Sequence, residues 1–316
     1  MQYQDIQTLA AKVRENVRRV IIGNEKQIDL ILTAVVAGGH VLLEDVPGTG
    51  KTVLARSLSQ SLRCAFSRVQ FTPDLLPADI TGMSVYQPGE GKFVFQPGPV
   101  FTNILLADEI NRATPRTQSA LLECMEEKQV TEGGATRPLQ APFIVLATQN
   151  PVETQGTFPL PEAQLDRFLI RLSLGYPTDD GAVAMMRRFI SESPLETLEP
   201  VASREEIAEA QKLFRRCEVS EPVMRYIAAL CAATRNPERV QLGVSPRGML
   251  ALMRASQAYA AVSGRDFVTP DDVKALAVPV LAHRVILRGL YGKSGEGERF
   301  VEELLQKTPV PTERQA

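Results

Sequence analysis

The sequence predicts an α/β protein: a three-layer αβα core around a parallel five-stranded sheet (residues 1–175), followed by a smaller all-helical domain (residues 176–316). Three observations carry this. Five short apolar runs, HVLLE, CAFSRVQ, NILLADE, FIVLATQ and FLIRLSL, alternate with helix-length segments up to about Leu174. Runs that are apolar on both faces make buried strands, and spacers long enough for crossover helices make those strands mostly parallel. One run passes directly into a glycine-containing loop and then an apolar helical pattern, DVPGTGKT before VLARSLSQSL. After GYPTDD the β-branched runs almost vanish, and helical periodicity with clear caps takes over.

At 316 residues the chain can bury a substantial core, and two domains is the natural division. Composition is ordinary, 44% hydrophobic and 23% charged, with 35 basic against 37 acidic side chains. A formal charge of -2 gives no basic excess pointing to nucleic acid. The longest apolar stretches, near Val35 and Val280, are interrupted well short of the ~20 residues a membrane span needs. The N-terminal MQYQDIQTLAAKVRENVRR is charged throughout, unlike a signal peptide, so a cytoplasmic location is expected. Cys64, Cys124, Cys217 and Cys231 form no C-x-x-C pair and sit among apolar neighbours, as buried structural cysteines do. With only His40 and His283, zinc sites and histidine-dependent triads are largely excluded. The chemistry falls to carboxylates, Lys and Arg.

In the helical half, Val223, Ile227, Leu230 and Cys231 share one helical face, and Met249, Leu252 and Met253 share another. Thr269 is placed to cap a further helix, with Pro270 at its first position and Asp271 and Asp272 at the positive end of its dipole. The C-terminal TPVPTERQA is expected to fray. Between the glycine loop and the third strand, SVY and KFVF flank a Pro-Gly turn and read as a hairpin at about 82–97. KQVTEGGATRPL reads as a second hairpin at about 128–140. Both are candidates for lining a ring pore or facing a client, against the plainer alternative of passive surface hairpins.

The strand, loop and helix around Asp45 to Thr52 stand in the order of a phosphate-binding loop. Gly48 and Gly50 let backbone N–H groups turn inward around a phosphate, Lys51 reaches the β- and γ-phosphates, and the Thr52 hydroxyl binds magnesium. Val46, Pro47, Thr49 and Val53 complete the stretch expected to contact nucleotide. The pattern G-x-x-x-x-G-K-[ST] begins with Gly, whereas Asp45 stands at that position here. Downstream, ILLADEIN places Asp108 and Glu109 at a strand's C-terminal end, where ligands of such sheets bind. Asp108 suits the magnesium ion, directly or through water, and Glu109 suits a general base that polarises the attacking water. FIVLATQNP ends its strand at Asn150, an amide able to orient water or touch the γ-phosphate, or else a turn former before Pro151.

With these motifs in this order the chain resembles AAA+ ATPases, specifically the MoxR family of the helix-2-insert clade. QFTPDLLPADITG (residues 70–82), ADEINRATPRTQSALLECMEEKQVT (107–131), ATQNPVETQGTFPLPEAQLDRF (147–168) and SPRGML are similar to that family's blocks, so the likeness covers most of the chain. It implies ATP and Mg²⁺ as ligands, Asp108 and Glu109 as the Walker B pair and Asn150 as sensor 1. It also implies Arg167 as the arginine finger of a neighbouring subunit's site, Arg247 as sensor 2 on the lid, and backbone packing of Gly23 against adenine. A finger supplied in trans couples hydrolysis to assembly. Arg112 and Arg116 remain alternative fingers, and a local pair with Asp166 or Glu162 remains an alternative role for Arg167. Arg247 follows a helix cap, Ser245, with Pro246 at the first helical position.

The same resemblance implies a homo-oligomer, a hexameric ring, that remodels or matures a client protein, for example during metal-cofactor insertion. A protein bearing a von Willebrand factor A-type domain is the expected companion. Two other readings stay open: the ATPase subunit of a magnesium chelatase, which shares the inserted hairpin, and a DNA-acting motor or transcription regulator. The slightly acidic charge and the absence of a GAFTGA-like loop or an appended helix-turn-helix region weigh against the last.

Overall fold

The computed structural model describes residues 1–89, 91–151, 156–190, 193–289 and 295–311. Two helices precede the sheet. α1 (Tyr3–Arg18) buries Ile6, Leu9, Ala10, Val13 and Val17, one stripe at helical spacing. α2 (Glu25–Ala37) is buried almost without break from Ile28 to Val36. A helix apolar on all sides must be covered on all sides, and α2 is, because helices from the second half of the chain close over it.

β1 (Val41–Glu44), β2 (Phe66–Gln70), β5 (Ile104–Asp108), β8 (Ile144–Gln149) and β9 (Ile170–Leu172) form one sheet in the order β2-β5-β8-β1-β9. All four pairings are parallel, as the continuous apolar runs require. Register aligns Glu44 with Gln149 and Gln70 with Asp108, so the polar ends of β1, β2, β5 and β8 gather at one edge. α3 (Lys51–Ser61) lies on one face with α1 and α2, and α5 (Pro115–Glu127) lies on the other. Leu43, Leu106 and Leu146 point into the first layer, while Leu42, Leu105 and Val145 point into the second.

α4 (Pro77–Thr81) leads straight into the hairpin β3 (Gly82–Gln87) and β4 (Lys92–Pro97); residue 90 lies outside the described residues. The chain then returns to β5 without a second helical piece, since Pro97, Gly98 and Pro99 cannot carry one. β6 (Gln129–Glu132) and β7 (Ala135–Pro138) form the second hairpin. The two hairpins are joined. Ser84 Oγ donates to Glu132 at 2.7 Å, and the Arg137 guanidinium lies 3.9 Å from the Phe95 ring centre. Tyr86 and Phe93 pack with ring centres 5.3 Å apart and planes tilted by 56°, and are left 51% and 71% exposed.

α6 (Glu162–Leu165) precedes β9. Beyond it come α7 (Asp179–Arg188), α8 (Arg204–Leu213), α9 (Glu221–Ala233), β10 (Val240–Leu242), α10 (Pro246–Val262), α11 (Pro270–Leu281), β11 (Ile286–Leu287) and α12 (Glu296–Lys307). Val223, Ile227, Leu230, Cys231 and Leu252 are buried as their periodicity predicts, with Met249 and Met253 packed at the margin. Thr269 caps α11 in a reciprocal box with Asp272. Cys124, Cys217 and Cys231 are buried, Cys64 partly so, and burial raises every thiol pKa, to about 12 for Cys124 and Cys217. Of the expected frayed terminus, residues 312–316 lie outside the described residues.

One apolar cluster runs from α1 and α2 through α8, α9, α10 and α11. The junction with the sheet turns on Arg284, which is 6% exposed. Its Nε donates to Asp166 Oδ1 at 2.6 Å, and Nη2 donates to the carbonyls of Asp166 (3.1 Å) and Phe168 (2.6 Å). Ser245 Oγ, the cap of α10, donates to the other Asp166 oxygen at 3.0 Å. A Cβ on Gly248 would meet the Arg284 side chain at 2.7 Å, so the glycine of SPRG admits this arginine. α7 stands apart. It buries none of its residues and leaves Val183, Met185 and Met186 exposed, with Phe189 and Ile190 exposed just beyond its end.

Candidate nucleotide-binding site

The loop from Asp45 to Gly50 leaves β1 at the sheet edge and enters α3 through Gly48 (φ +85°) and Gly50 (φ +87°). Neither glycine is crowded, so the positive φ alone requires it. Gly50 is the N-cap of α3 and supplies no side-chain cap, which leaves the first amides of that helix facing the loop. Lys51 Nζ folds onto the loop's own carbonyls, donating to Asp45 O at 2.9 Å and Val46 O at 3.1 Å. Burial lowers the Lys51 pKa, against the opposing pull of Asp45, Asp108 and Glu109. Lys51 and the uncapped first amides of α3 put donors and positive charge at the loop's mouth, the arrangement that suits an anionic ligand. Thr49 Oγ1 donates to Val46 O at 3.4 Å, and Val46, Pro47, Thr52 and Val53 flank the same turn.

Asp45, the departure from the usual first glycine, is 5% exposed, and its carboxylate faces away from the loop's mouth. It accepts from Leu174 N (2.6 Å), Ser173 Oγ (2.8 Å) and Gly175 N (3.1 Å). The loop is thereby tied to the segment leaving β9. That segment borders the turn before α2, where Gly23 (φ +73°) and Asn24 (φ +58°) adopt left-handed conformations. Gln27 Nε2 donates to Ser173 O at 3.4 Å, and Arg188 Nη1 donates to Arg19 O at 2.8 Å. Gly23 is exposed, and nothing lies within 4 Å of the place a methyl group on it would take, so its backbone is open to a flat ligand.

Asp108 and Glu109 end β5 beside the loop. Asp108 Oδ1 accepts from Thr148 Oγ1 at 2.6 Å, and Oδ2 accepts from Arg68 at 2.7 Å. Glu109 holds φ +56°, a left-handed conformation costly for a residue with a side chain. Its N–H donates to Thr148 Oγ1 at 2.8 Å, which fixes that turn. Glu109 Oε2 accepts from Gln70 Nε2 at 2.8 Å and pairs with Arg112 Nε at 3.0 Å. Arg112, an alternative finger by sequence, is thus engaged within its own chain. Asn150 is 9% exposed at the end of β8, between the ends of β5 and β1. Sequence reasoning missed Thr148, Arg68 and Gln70. Thr148 lies in β8 two residues before Asn150, which follows the strand's last residue, a spacing that in extended chain puts both side chains on one face.

Two oxygen donors suited to Mg²⁺, Thr52 in the first turn of α3 and Asp108 at the end of β5, stand at the same edge of the sheet without a preformed cage. No cluster of three or more His, Cys, Asp or Glu able to hold a metal occurs among the described residues. Mg²⁺ is commonly held by one or two protein oxygens together with phosphates and water, so the donor set fits a metal that arrives with nucleotide.

Arg167 and Arg247 lie elsewhere. Arg167 precedes β9, and Arg247 lies in the first turn of α10; both pair with Glu126 in the last turn of α5, at 3.0 Å (Nε to Oε2) and 3.3 Å (Nη1 to Oε1). The Arg167 contact is close but not aligned as a hydrogen bond. Neither Asp166 nor Glu162 is the partner of Arg167, because Asp166 is taken by Arg284 and Ser245. The carbonyl of Met125, beside Glu126, meets His40 Nε2 at 3.0 Å, just before β1. The two arginines therefore sit at the N-terminal edge of the sheet, a strand length of roughly 13 Å from the chain's own phosphate loop.

A parallel sheet in this order, a phosphate loop between its first strand and helix, and a strand-end acid pair define an AAA-type nucleotide-binding protein. The family model described as ATPase family associated with various cellular activities (AAA) matches residues 40–170, and an AAA lid domain model matches residues 232–307. Chaperone MoxR1 of Mycobacterium tuberculosis is 40% identical over 90% of this chain and 77% of its own length. Protein MoxR of Paracoccus denitrificans is 33% identical over 92% and 93%, and the uncharacterized protein YeaC of Bacillus subtilis is 48% identical over 100% and 99%. A crystal structure of a Cytophaga hutchinsonii protein superposes with a TM-score of 0.90 at 38% identity, covering 98% of this chain and 97% of that one. The chain belongs to the MoxR family of AAA+ ATPases. Likeness to the magnesium-chelatase 38 kDa subunit of Acidiphilium rubrum is weaker, 30% over 62% of this chain. No helix among the described residues is long and apolar enough to cross a membrane.

Proposed function

We propose that this chain binds and hydrolyses ATP with Mg²⁺ in a site shared between copies of a hexameric ring, and uses the cycle to remodel a partner protein. The observation that carries the proposal is the division of one chemistry between two edges of the sheet. Lys51, Asp108 and Glu109 stand at the C-terminal edge, and the arginines suited to a phosphoryl group stand at the other.

In this reading the amides of the loop and Lys51 hold the β- and γ-phosphates, while Lys51 gives up its contacts to Asp45 O and Val46 O. Gly23 and the 173–175 segment border the adenine. Thr52 and Asp108 hold Mg²⁺, which when bound neutralises phosphate charge. Glu109 takes a proton from water as its oxygen bonds to the γ-phosphorus, and the bond from that phosphorus to the β–γ bridging oxygen breaks to release ADP. Glu109 first has to leave Gln70 and Arg112. Asn150 orients the water. Arg167 and Arg247 of the neighbouring copy meet the charge on the transferring group.

The exposed apolar face of α7 is consistent with assembly, since a helix that buries nothing alone needs a cover. The paired, exposed rings of Tyr86 and Phe93 on the joined hairpins suit an apolar client segment. The chaperone name borne by one relative favours client remodelling over chelatase or nucleic-acid work. The client is of the kind that receives a metal cofactor, with a von Willebrand factor A-type protein as companion in the cytoplasm. Phosphate release from ATP and Mg²⁺ by the purified chain tests the first step. Lys51→Ala is expected to abolish it, and an unaltered rate in that variant defeats the proposal. A pull-down on the Glu109→Gln chain with ATP tests the second; recovery of no protein beyond the chain itself defeats client binding.

A further inference from the structure

The geometry points to Glu126 as the positioning residue that holds Arg167 and Arg247 together as one donor unit, an inference that rests on the shared site proposed above. One carboxylate spans two chain segments: Oε2 meets Arg167 of the core and Oε1 meets Arg247 of the lid. No other anionic partner of either arginine occurs among the described residues. Arg247 stands close enough to the buried Arg284 to add to the lowering of the Arg284 pKa, of which burial is the main cause, while the carboxylate of Arg284, Asp166, is already shared with Ser245. Three guanidinium groups thus face two carboxylates. Without Glu126, Arg167 and Arg247 would repel and swing apart on long side chains.

The atoms used favour positioning over blocking. Arg167 turns Nε toward Glu126, and Arg247 turns a single Nη1. That leaves both Nη groups of Arg167, and Nε and Nη2 of Arg247, for a planar two-point grip on phosphate oxygens. Glu126 is 38% exposed, so the pairs add little to folding stability; what they add is a common orientation. Since Arg247 rides on α10 and Arg167 lies next to Asp166, which holds the α10 cap, a shift of the lid moves both arginines as a pair.

Mixed-copy complementation with the full-length chain tests this. Arg167→Ala copies keep an intact phosphate loop but lack a finger. Lys51→Ala copies have no loop but offer both arginines. Mixing the two restores phosphate release from ATP and Mg²⁺, and the comparison is between Lys51→Ala and the doubles Lys51→Ala/Glu126→Ala and Lys51→Ala/Glu126→Gln as donors. The expected result is a rescue at least about tenfold lower in kcat with the Ala double, and intermediate with the Gln double, at unchanged KM for ATP, because displaced positioning groups cost turnover of that order or more. The thermal midpoint of the doubles should stay within about 2 °C of the single, and the Gln double carries the comparison should the Ala double unfold. Equal rescue by all three donors overturns the role of Glu126 and leaves the shared site standing. No rescue by Lys51→Ala itself overturns the shared site, and Glu126 falls with it.

Discussion

Replacing Asp45 separates its tethering role from the phosphate chemistry next to it. Its carboxylate accepts two backbone N–H groups and one hydroxyl, at 2.6, 3.1 and 2.8 Å, in a side chain only 5% exposed. In Asp45→Ala the exposed Ser173 hydroxyl finds water, but the buried Leu174 N–H is orphaned and the Gly175 N–H partly so. Hydrogen bonds to a charged acceptor are worth about 1.5–3 kcal/mol each, and two uncompensated losses, discounted for relaxation, give about 3 kcal/mol. Asp45→Asn keeps one acceptor oxygen but turns an NH₂ toward donors, so about 2 kcal/mol is expected. Urea denaturation followed by circular dichroism reads this as a lower midpoint at constant slope. Nucleotide affinity, read with a fluorescent ATP analogue, should fall in the same variants because the untied loop must order itself on binding. A change below about 0.5 kcal/mol in Asp45→Ala would refute the tether.

Other consequences are as direct. Glu109→Gln should retain ATP binding while kcat drops about 10²-fold or more, the ordinary loss for a general base; a variant within threefold of the parent would remove Glu109 from that role. Arg284→Ala should cost about 3 kcal/mol in the same denaturation assay, because it removes the cation paired with Asp166 in a buried junction and leaves Ser245 and His283 as the remaining partners of Asp166 and the Phe168 carbonyl; a loss under about 1 kcal/mol contradicts the junction's importance. Burial lowers the pKa of His40 to about 4, and His283 lies well below its ordinary value for the same reason with Arg284 adding to it. The unfolded chain therefore binds protons first as pH falls, so the share due to His40 is complete above about pH 6.5 and is lost between there and about pH 4. For His40 that amounts to about 3 kcal/mol, and denaturation midpoints equal at pH 7.5 and 5 would contradict it.

What the sequence made legible was what repeats at short range. Strand and helix periods, the turn glycines 48 and 50, and the caps at Ser245 and Thr269 are decided by residues within four positions, and they appear where the pattern places them. Partners far apart in sequence were not legible. Asp45 meets a segment 129 residues on, Arg284 reaches back 118 residues to Asp166, and Glu126 gathers one arginine from the core and one from the lid. The local text around Arg167 suggested Asp166 or Glu162, yet a neighbour in sequence loses to a partner that is itself fixed by a helix end. Thr148 was hidden for a different reason: a threonine in a β-branched strand looks like filler until the acid pair on the adjacent strand is aligned with it.

The shared site is tested most directly by measuring molar mass by light scattering and phosphate release on the same samples, across a dilution series at saturating ATP and Mg²⁺. The account predicts that turnover per chain follows the assembled fraction and vanishes as the monomer takes over. A monomer that hydrolyses ATP at the full rate would contradict it.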